Sequence, residues 1–217
     1  MSLSPYTPPS GPLRILELAS DWVCVDKPPG LLSVPGRGAE KADCLVARLA
    51  QLVGEVHTIH RLDMETSGIM VFARTREAQR ELSKAFEERR TRKTYEALVA
   101  GKVASDRGEI DLPLIADWPN RPLQKVCHDT GKPSLTRWRM LGRESGATRL
   151  ELVPVTGRSH QLRVHMLSMG HPILGDQLYG DAQSQAGAAR LMLHARALSV
   201  GSGGTGPSLN ASCKTPF

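Results

Sequence analysis

The sequence predicts an α+β fold, with a mixed, largely antiparallel sheet and flanking helices. Two observations carry this. Strand-like runs outnumber helical ones, and the two kinds do not alternate as a doubly wound sheet requires. There is also no internal repeat and no long linker. With 217 residues the chain is large enough to bury a substantial core.

The elements follow in order. The opening MSLSPYTPPSGP is rich in Pro and Ser. Residues 1–13 therefore read as a flexible arm ahead of a single domain over 14–217. DWVCVDKP reads as a strand over Trp22 to Val25, stopped where Pro28 and Pro29 forbid a continued ladder. Leu45, Val46, Leu49, Leu52 and Val53 recur at helical spacing, with Asp43 as the expected cap and Gly54 at the close. HRLDMETSG leads into a strand over Ile69 to Phe72. The next helix is expected from Glu77 to Arg90, capped by Thr75. Its Ala78, Leu82, Ala85 and Phe86 fall on one stripe.

YEALVAG, Tyr95 to Gly101, reads as a strand, and LPLIADWPNRPLQKV as a Pro-rich loop. TRWRML and RLELVPV form a strand pair around a polar turn at Ser145 and Gly146. SHQLRVHMLSMG gives a third helix, with Leu162, Met166 and Met169 on one face and Gly170 past its end.

Composition narrows the classes. Hydrophobic residues make up 40% and charged residues 23%, which is the balance of a globular protein. No apolar run approaches the roughly 18 residues of a membrane span. The N-terminus lacks the basic-then-apolar pattern of a signal peptide, so a cytoplasmic protein is expected. The net charge of +6 favours a polyanionic partner. Cys24, Cys44, Cys127 and Cys213 show no CxxC spacing and read as reduced thiols. His160 and His165 are five apart with no adjacent glutamate, whereas a zincin pair needs four, so no metal site is expected.

Three constellations carry chemistry. In HRLDMETSG, Asp63 sits on a turn before a strand, where an aspartate serves either as a backbone cap or as a positioned carboxylate. In TGRSHQLRVH, Arg163 lies one turn inside a helix. It is either a solvated arginine or the cation that keeps a carboxylate ionised. EERRTRKTYEAL gathers Arg89, Arg90, Arg92 and Lys93, with Lys84 earlier, and then places the ring of Tyr95. Cations at a helix end complement its dipole, but an aromatic ring beside phosphate-binding charge also suits an unstacked base.

Taken together, HRLDMETSG, KTYEALV, TGRSHQLRVHM, GHPILGDQLYG and LMLHARAL, in that order, resemble the RluA-type pseudouridine synthases. VDKPPGLLSVPG matches that family's Lys-Pro-x-Gly segment. The likeness runs from about Arg14 to Val200, and DWPNRPLQKV points to the short synthase A subgroup. The Gly-rich GSGGTGPS at 201 to 208 has no counterpart.

The resemblance implies a sheet crossed by a central RNA-binding cleft and an isomerase that needs neither cofactor nor metal. Asp63 takes the catalytic position, Tyr95 that of the cleft tyrosine and Arg163 that of the aspartate's basic partner. Arg61 matches the arginine associated with displacing the target nucleotide. RNA contacts are further expected from Arg89, Arg90, Arg92, Lys93, Arg158, His160 and Gln161. The implied partners are stem-loops of 23S ribosomal RNA and tRNA, with the protein a monomer. Modification of a single tRNA or rRNA site, or RNA binding without catalysis, are the alternatives. A glycosidase would need two carboxylates roughly 5–9.5 Å apart, and the local pair Asp63 and Glu65 is poorly placed for that. The residues leave open whether Asp63 attacks C1′ or removes a sugar proton.

Overall fold

The computed structural model describes residues 5–201 and 208–217. The first four residues of the expected arm and residues 202–207 of the Gly-rich segment lie outside them. The chain divides into two compact units, Met1–Thr91 with Ala197–Lys214, and Arg92–Arg196 with Thr215–Phe217.

The first unit is built on strands β1 (Arg14–Leu18), β2 (Trp22–Lys27), the two-residue β3 (His57–Thr58) and β4 (Ser67–Ala73). β2 pairs antiparallel with β1 and β4, and β3 pairs with β4. Every residue of β4 is buried, which explains the unbroken apolar run GIMVFA. Helix α1 (Leu45–Val53) ends on Gly54, whose positive φ of 84° a side chain would resist. Its expected cap is corrected: Asp43 makes no capping bond, and Cys44 holds the cap position. Asp43 instead chelates Arg48 at 2.7 and 2.6 Å, the stronger use of a carboxylate.

Helix α2 (Arg76–Glu87) starts as the sequence predicts, with Thr75 accepting the Ala78 N–H at 3.1 Å. It ends sooner than expected, because Arg89 turns left-handed at φ 57° and Arg90 N–H returns to the Ala85 carbonyl. Ala78, Leu82 and Ala85 pack with Trp22, Ile69, Val71 and Leu198 in one core. Each fully buried Leu, Ile or Val side chain there stabilises by about 1.5–3 kcal/mol. The described part of the expected arm is fastened to this unit. Tyr6 Oη donates to the Asp43 carbonyl at 2.9 Å, and Arg48 donates to the Pro9 carbonyl at 2.9 Å.

The second unit holds β5 (Thr91–Ala100, its first residue in the other unit), β6 (Arg107–Asp111), β9 (Leu135–Glu144) and β10 (Ala147–Pro154). β10 lies antiparallel between β5 and β9, and β6 adds to the far side of β9. The Pro-rich stretch is not all loop. It folds back as the hairpin β7 (Leu114–Ala116) and β8 (Gln124–Val126). Helix α3 (Gln161–Ser168) drives Leu162 and Met166 into a core with Ala97, Val99, Leu150 and Leu152. A short helix, α4 (Ala182–Ala186), is capped by Asp181.

Strand β11 (Leu193–Val200) passes from the second unit to the first at Arg196–Ala197, and β12 (Leu209–Ser212) pairs antiparallel with its last four residues. The fold is thus α+β, and the pairs β1–β2, β2–β4, β3–β4, β5–β10, β9–β10, β6–β9, β7–β8 and β11–β12 are all antiparallel. Among the described residues no helix is long and apolar enough to cross a membrane.

Candidate active site

Asp63 is half-buried on the connection from β3 to β4, and the backbone around it is held from three sides. Its own carbonyl accepts the Thr66 N–H at 3.1 Å, closing the turn Asp63 to Thr66. The buried Ser33 hydroxyl donates to the Leu62 carbonyl at 2.7 Å and accepts the Leu62 N–H at 3.2 Å. Lys27, fully buried, donates to the carbonyls of Met64, Leu31 and Pro28 at 2.8, 2.7 and 2.9 Å. A buried ammonium is tolerated only with such partners. Here it fastens the segment one residue past Asp63 to the Pro-Pro-Gly turn. His60 accepts the Val71 N–H and stacks on Phe86 at 4.7 Å, fixing the segment's other end against β4 and α2.

Sequence reading did not find Lys27 or Ser33. The signal was there in Lys-Pro-Pro-Gly, a lysine at a strand end where the next residues cannot continue the ladder.

Arg61, two residues before Asp63, is exposed. Arg89 is exposed and left-handed, a conformation that costs a non-glycine residue about 1–2 kcal/mol. Arg90 is partly committed, to Glu88 at 2.8 Å and to the Gly201 carbonyl at 2.9 Å. These residues belong to the first unit with Asp63.

Tyr95, Arg92, Lys93, Arg158, His160, Gln161 and Arg163 belong to the second. Arg92, Lys93 and Tyr95 lie on β5 itself, since the strand begins at Thr91, four residues before its expected start. Tyr95 packs at the edge of the second core. Burial pushes the Lys93 ammonium below its usual range, and its Nζ would lie 3.2 Å from a Cβ at position 157, so Gly157 leaves it room.

Arg163 is 4% exposed, not a solvated helix arginine. Its Nε and Nη2 donate to the two carboxylate oxygens of Asp176 at 2.8 and 2.6 Å. Asp176 is 1% exposed and also accepts the N–H groups of Leu178 and Tyr179 at 3.0 and 3.1 Å. The Tyr179 ring lies 5.1 Å from the Arg163 guanidinium. Its hydroxyl pairs with His160 Nδ1 at 2.7 Å and accepts the Gln124 N–H at 2.8 Å. His160 holds the left-handed φ of 53° that starts α3. GDQLYG therefore builds the cradle of Arg163, a role that no spacing rule revealed.

Gln161 is corrected. Expected at RNA, it is 3% exposed, and its amide is consumed by the turn before α3. Its Oε1 accepts from Thr156 and from the Arg158 N–H, while Nε2 donates to the Leu135 carbonyl and Thr136. The amide's acceptor oxygen is filled by the turn before α3 and its two donors by Leu135 and Thr136 of β9, which is why it is internal. Arg158 stays exposed on the same turn, its Nε near the Pro133 carbonyl.

The first unit supplies a carboxylate on a braced loop, and the second, taken by itself, supplies a buried arginine in a carboxylate cradle and a tyrosine on a strand. A model of the RNA pseudouridylate synthase family matches residues 21–168. The chain is 51% identical over 194 residues to the dual-specificity RNA pseudouridine synthase RluA of Yersinia pestis, covering 89% of this chain and 94% of that one. To the protein of the same name from Escherichia coli K12 it is 48% identical over 202 residues, 92% of each. The solved structure of human RNA pseudouridylate synthase domain containing 1 superimposes with a TM-score of 0.83 at 27% identity, covering 97% of this chain and 87% of that one.

Proposed function

The chain belongs to the RNA pseudouridylate synthase family, and from that premise we propose that it isomerises uridine in stem-loops of both 23S ribosomal RNA and tRNA. The observation that carries the dual substrate is the 51% identity, over nearly the full length of both chains, to a relative named for dual specificity.

The reaction breaks the N1–C1′ bond, turns the base and joins C5 to C1′. N1 gains a proton and C5 loses one to solvent. Nothing is oxidised or reduced, so the chemistry asks for no redox cofactor. The uridine must leave its stack, because C5 and C1′ are inaccessible inside a helix.

In this reading Asp63 acts at the sugar, by attack on C1′ or by removing a sugar proton. Its loop is braced by Lys27 and Ser33, and such bracing holds a reacting group in place without reorganisation. Arg163 serves as the basic partner of the aspartate, the position it takes in the family's motif. Tyr95 stacks on the uracil and assists loss of the C5 proton. Arg61, Arg89, Arg92, Lys93 and Arg158 meet phosphates or the displaced strand. The protein works as a cytoplasmic monomer, recognising a loop whose bases are already unstacked.

The test is release of tritium to water from stem-loop RNA labelled at uridine C5, with the ribose chain checked for integrity. The reading requires tritium release and intact, pseudouridine-containing RNA. Abasic sites would indicate a glycosidase, and binding without release would reduce the protein to an RNA-binding module.

A further inference from the structure

The β7–β8 hairpin lies outside the residues assigned so far. Of the three tryptophans, Trp22 and Trp138 are buried, at 7% and 8% exposure, whereas Trp118 at the hairpin turn is 65% exposed. The Arg121 guanidinium sits 4.1 Å from the centroid of its ring.

The turn beneath is rigid. Asp117 N–H reaches the Leu123 carbonyl at 2.9 Å, Asn120 N–H the Asp117 carbonyl at 2.9 Å, and Leu123 N–H the Asn120 carbonyl at 3.0 Å. The Asp117 carboxylate accepts from Asn120 at 2.8 Å and from Lys125 at 3.0 Å, which holds it below the usual carboxylate range. The hairpin's base packs Leu114, Leu123 and Val126 against Val164 and Tyr179. Its Gln124 N–H is bonded to the Tyr179 hydroxyl, in the cradle of Arg163.

We propose that Trp118, backed by Arg121, is a stacking platform for an unpaired base of the RNA substrate other than the reacting uridine. This deepens the reading above and rests on it for the identity of the ligand. One face of the indole is covered by a cation, and the high exposure leaves the other for a flat, electron-rich partner. A base stacks there without regard to its identity. Arg121, Lys125 and Lys132 are exposed along the same hairpin and its base, and match the phosphates that flank such a base. A single exposed aromatic is ordinary on a protein surface. This one is held by five hydrogen bonds in its turn and fixed through Tyr179 to His160 at the start of α3. That preorganisation suits a platform, because little order remains to be imposed on binding.

The platform predicts a spectroscopic signature, since stacking quenches indole fluorescence and the other two tryptophans are buried. Titrating a uridine-containing stem-loop into the wild-type chain and into Asp63→Asn should quench the emission saturably. The quench should vanish in Trp118→Phe. Trp118→Ala should raise KM for the stem-loop about ten-fold or more while leaving kcat at saturating RNA near wild type. Trp118→Phe should fall between, and Arg121→Ala should weaken binding less than Trp118→Ala. Quenching that survives in Trp118→Phe, or a Trp118→Ala KM within error of wild type while tritium is still released, overturns the platform and leaves the isomerase reading intact. A Trp118-dependent quench by RNA with no tritium release from the wild-type chain does the reverse. Absence of any RNA-induced quench would mean that Trp118 meets some other partner, and the proposal falls.

Discussion

Arg163 and Asp176 show how much one side chain's role depends on its neighbour. Each is buried, and their two hydrogen bonds close a fork that neither could leave without stranding a charge. Breaking such a pair by removing one partner costs about 3–5 kcal/mol, more than the pair itself is worth against apolar replacements. Asp176→Asn keeps the shape and one acceptor oxygen but removes the charge opposite Arg163. It should lower stability by about 3 kcal/mol, read as a shift in the urea midpoint with unchanged slope. The folded fraction well below its midpoint should still bind stem-loop RNA. A loss under about 1 kcal/mol would mean that Arg163 is not held by Asp176, because a solvated pair contributes no more than that. The same geometry warns that Arg163→Met leaves Asp176 buried and unpaired. Its kinetics are informative only beside its stability.

At the scale of elements, β11 carries a titrating group whose effect has a definite sign. His194 is 1% exposed. Burial first, and the Arg190 charge second, push it from an ordinary 6.5 down to about 4, against a smaller upward pull from Glu96. The unfolded chain therefore binds this proton more readily between those values. The stability that His194 contributes is complete above about pH 6.5 and is lost as the pH falls toward 4, by about 3 kcal/mol in all. His165 on α3, also pushed down by burial, adds in the same direction. Urea unfolding at intervals from pH 7.5 to 4.5 should show this slope in the wild type and a flatter one in His194→Gln. Parallel slopes would show that His194 is not the source.

The elements also mark where sequence patterning suffices. Thr75, Ala78, Leu82 and Ala85 specified α2 because cap and stripe agree, and β4 was plain from its apolar run. The end of α2 was hidden, since Arg89 holds a left-handed position where glycine is usual. β7 and β8 were hidden inside a Pro-rich stretch. Their three-residue strands are too short for a period to register, and Tyr179, 55 residues away, pins the hairpin. Ordered motifs named Asp63, Tyr95 and Arg163 as the candidates for the site. Lys27, Ser33, Asp176 and Tyr179 were not, because each acts by a bond to a residue far along the chain, and Gln161 looked like a surface amide for the same reason.

Across the whole molecule, charge and topology serve one task. The net charge of +6 draws a polyanion. The chain passes between its two units within β5 and β11 and again at Lys214–Thr215, so each unit is closed by segments distant in sequence. Asp63 stands on the first unit, and Arg163 with its cradle stands in the second. In the proposed mechanism the chemistry rests on the one carboxylate, and the other residues bind and aim.

The most direct measurement of that claim is single-turnover conversion of a uridine stem-loop by Asp63→Asn, with RNA affinity measured alongside. The substitution keeps the side chain's shape and the Thr66 N–H bond to the residue 63 carbonyl, and removes only the ionised oxygen. RNA binding should stay near that of the wild type, with tritium release and pseudouridine both below detection. Turnover at more than a few per cent of the wild-type rate would contradict that claim.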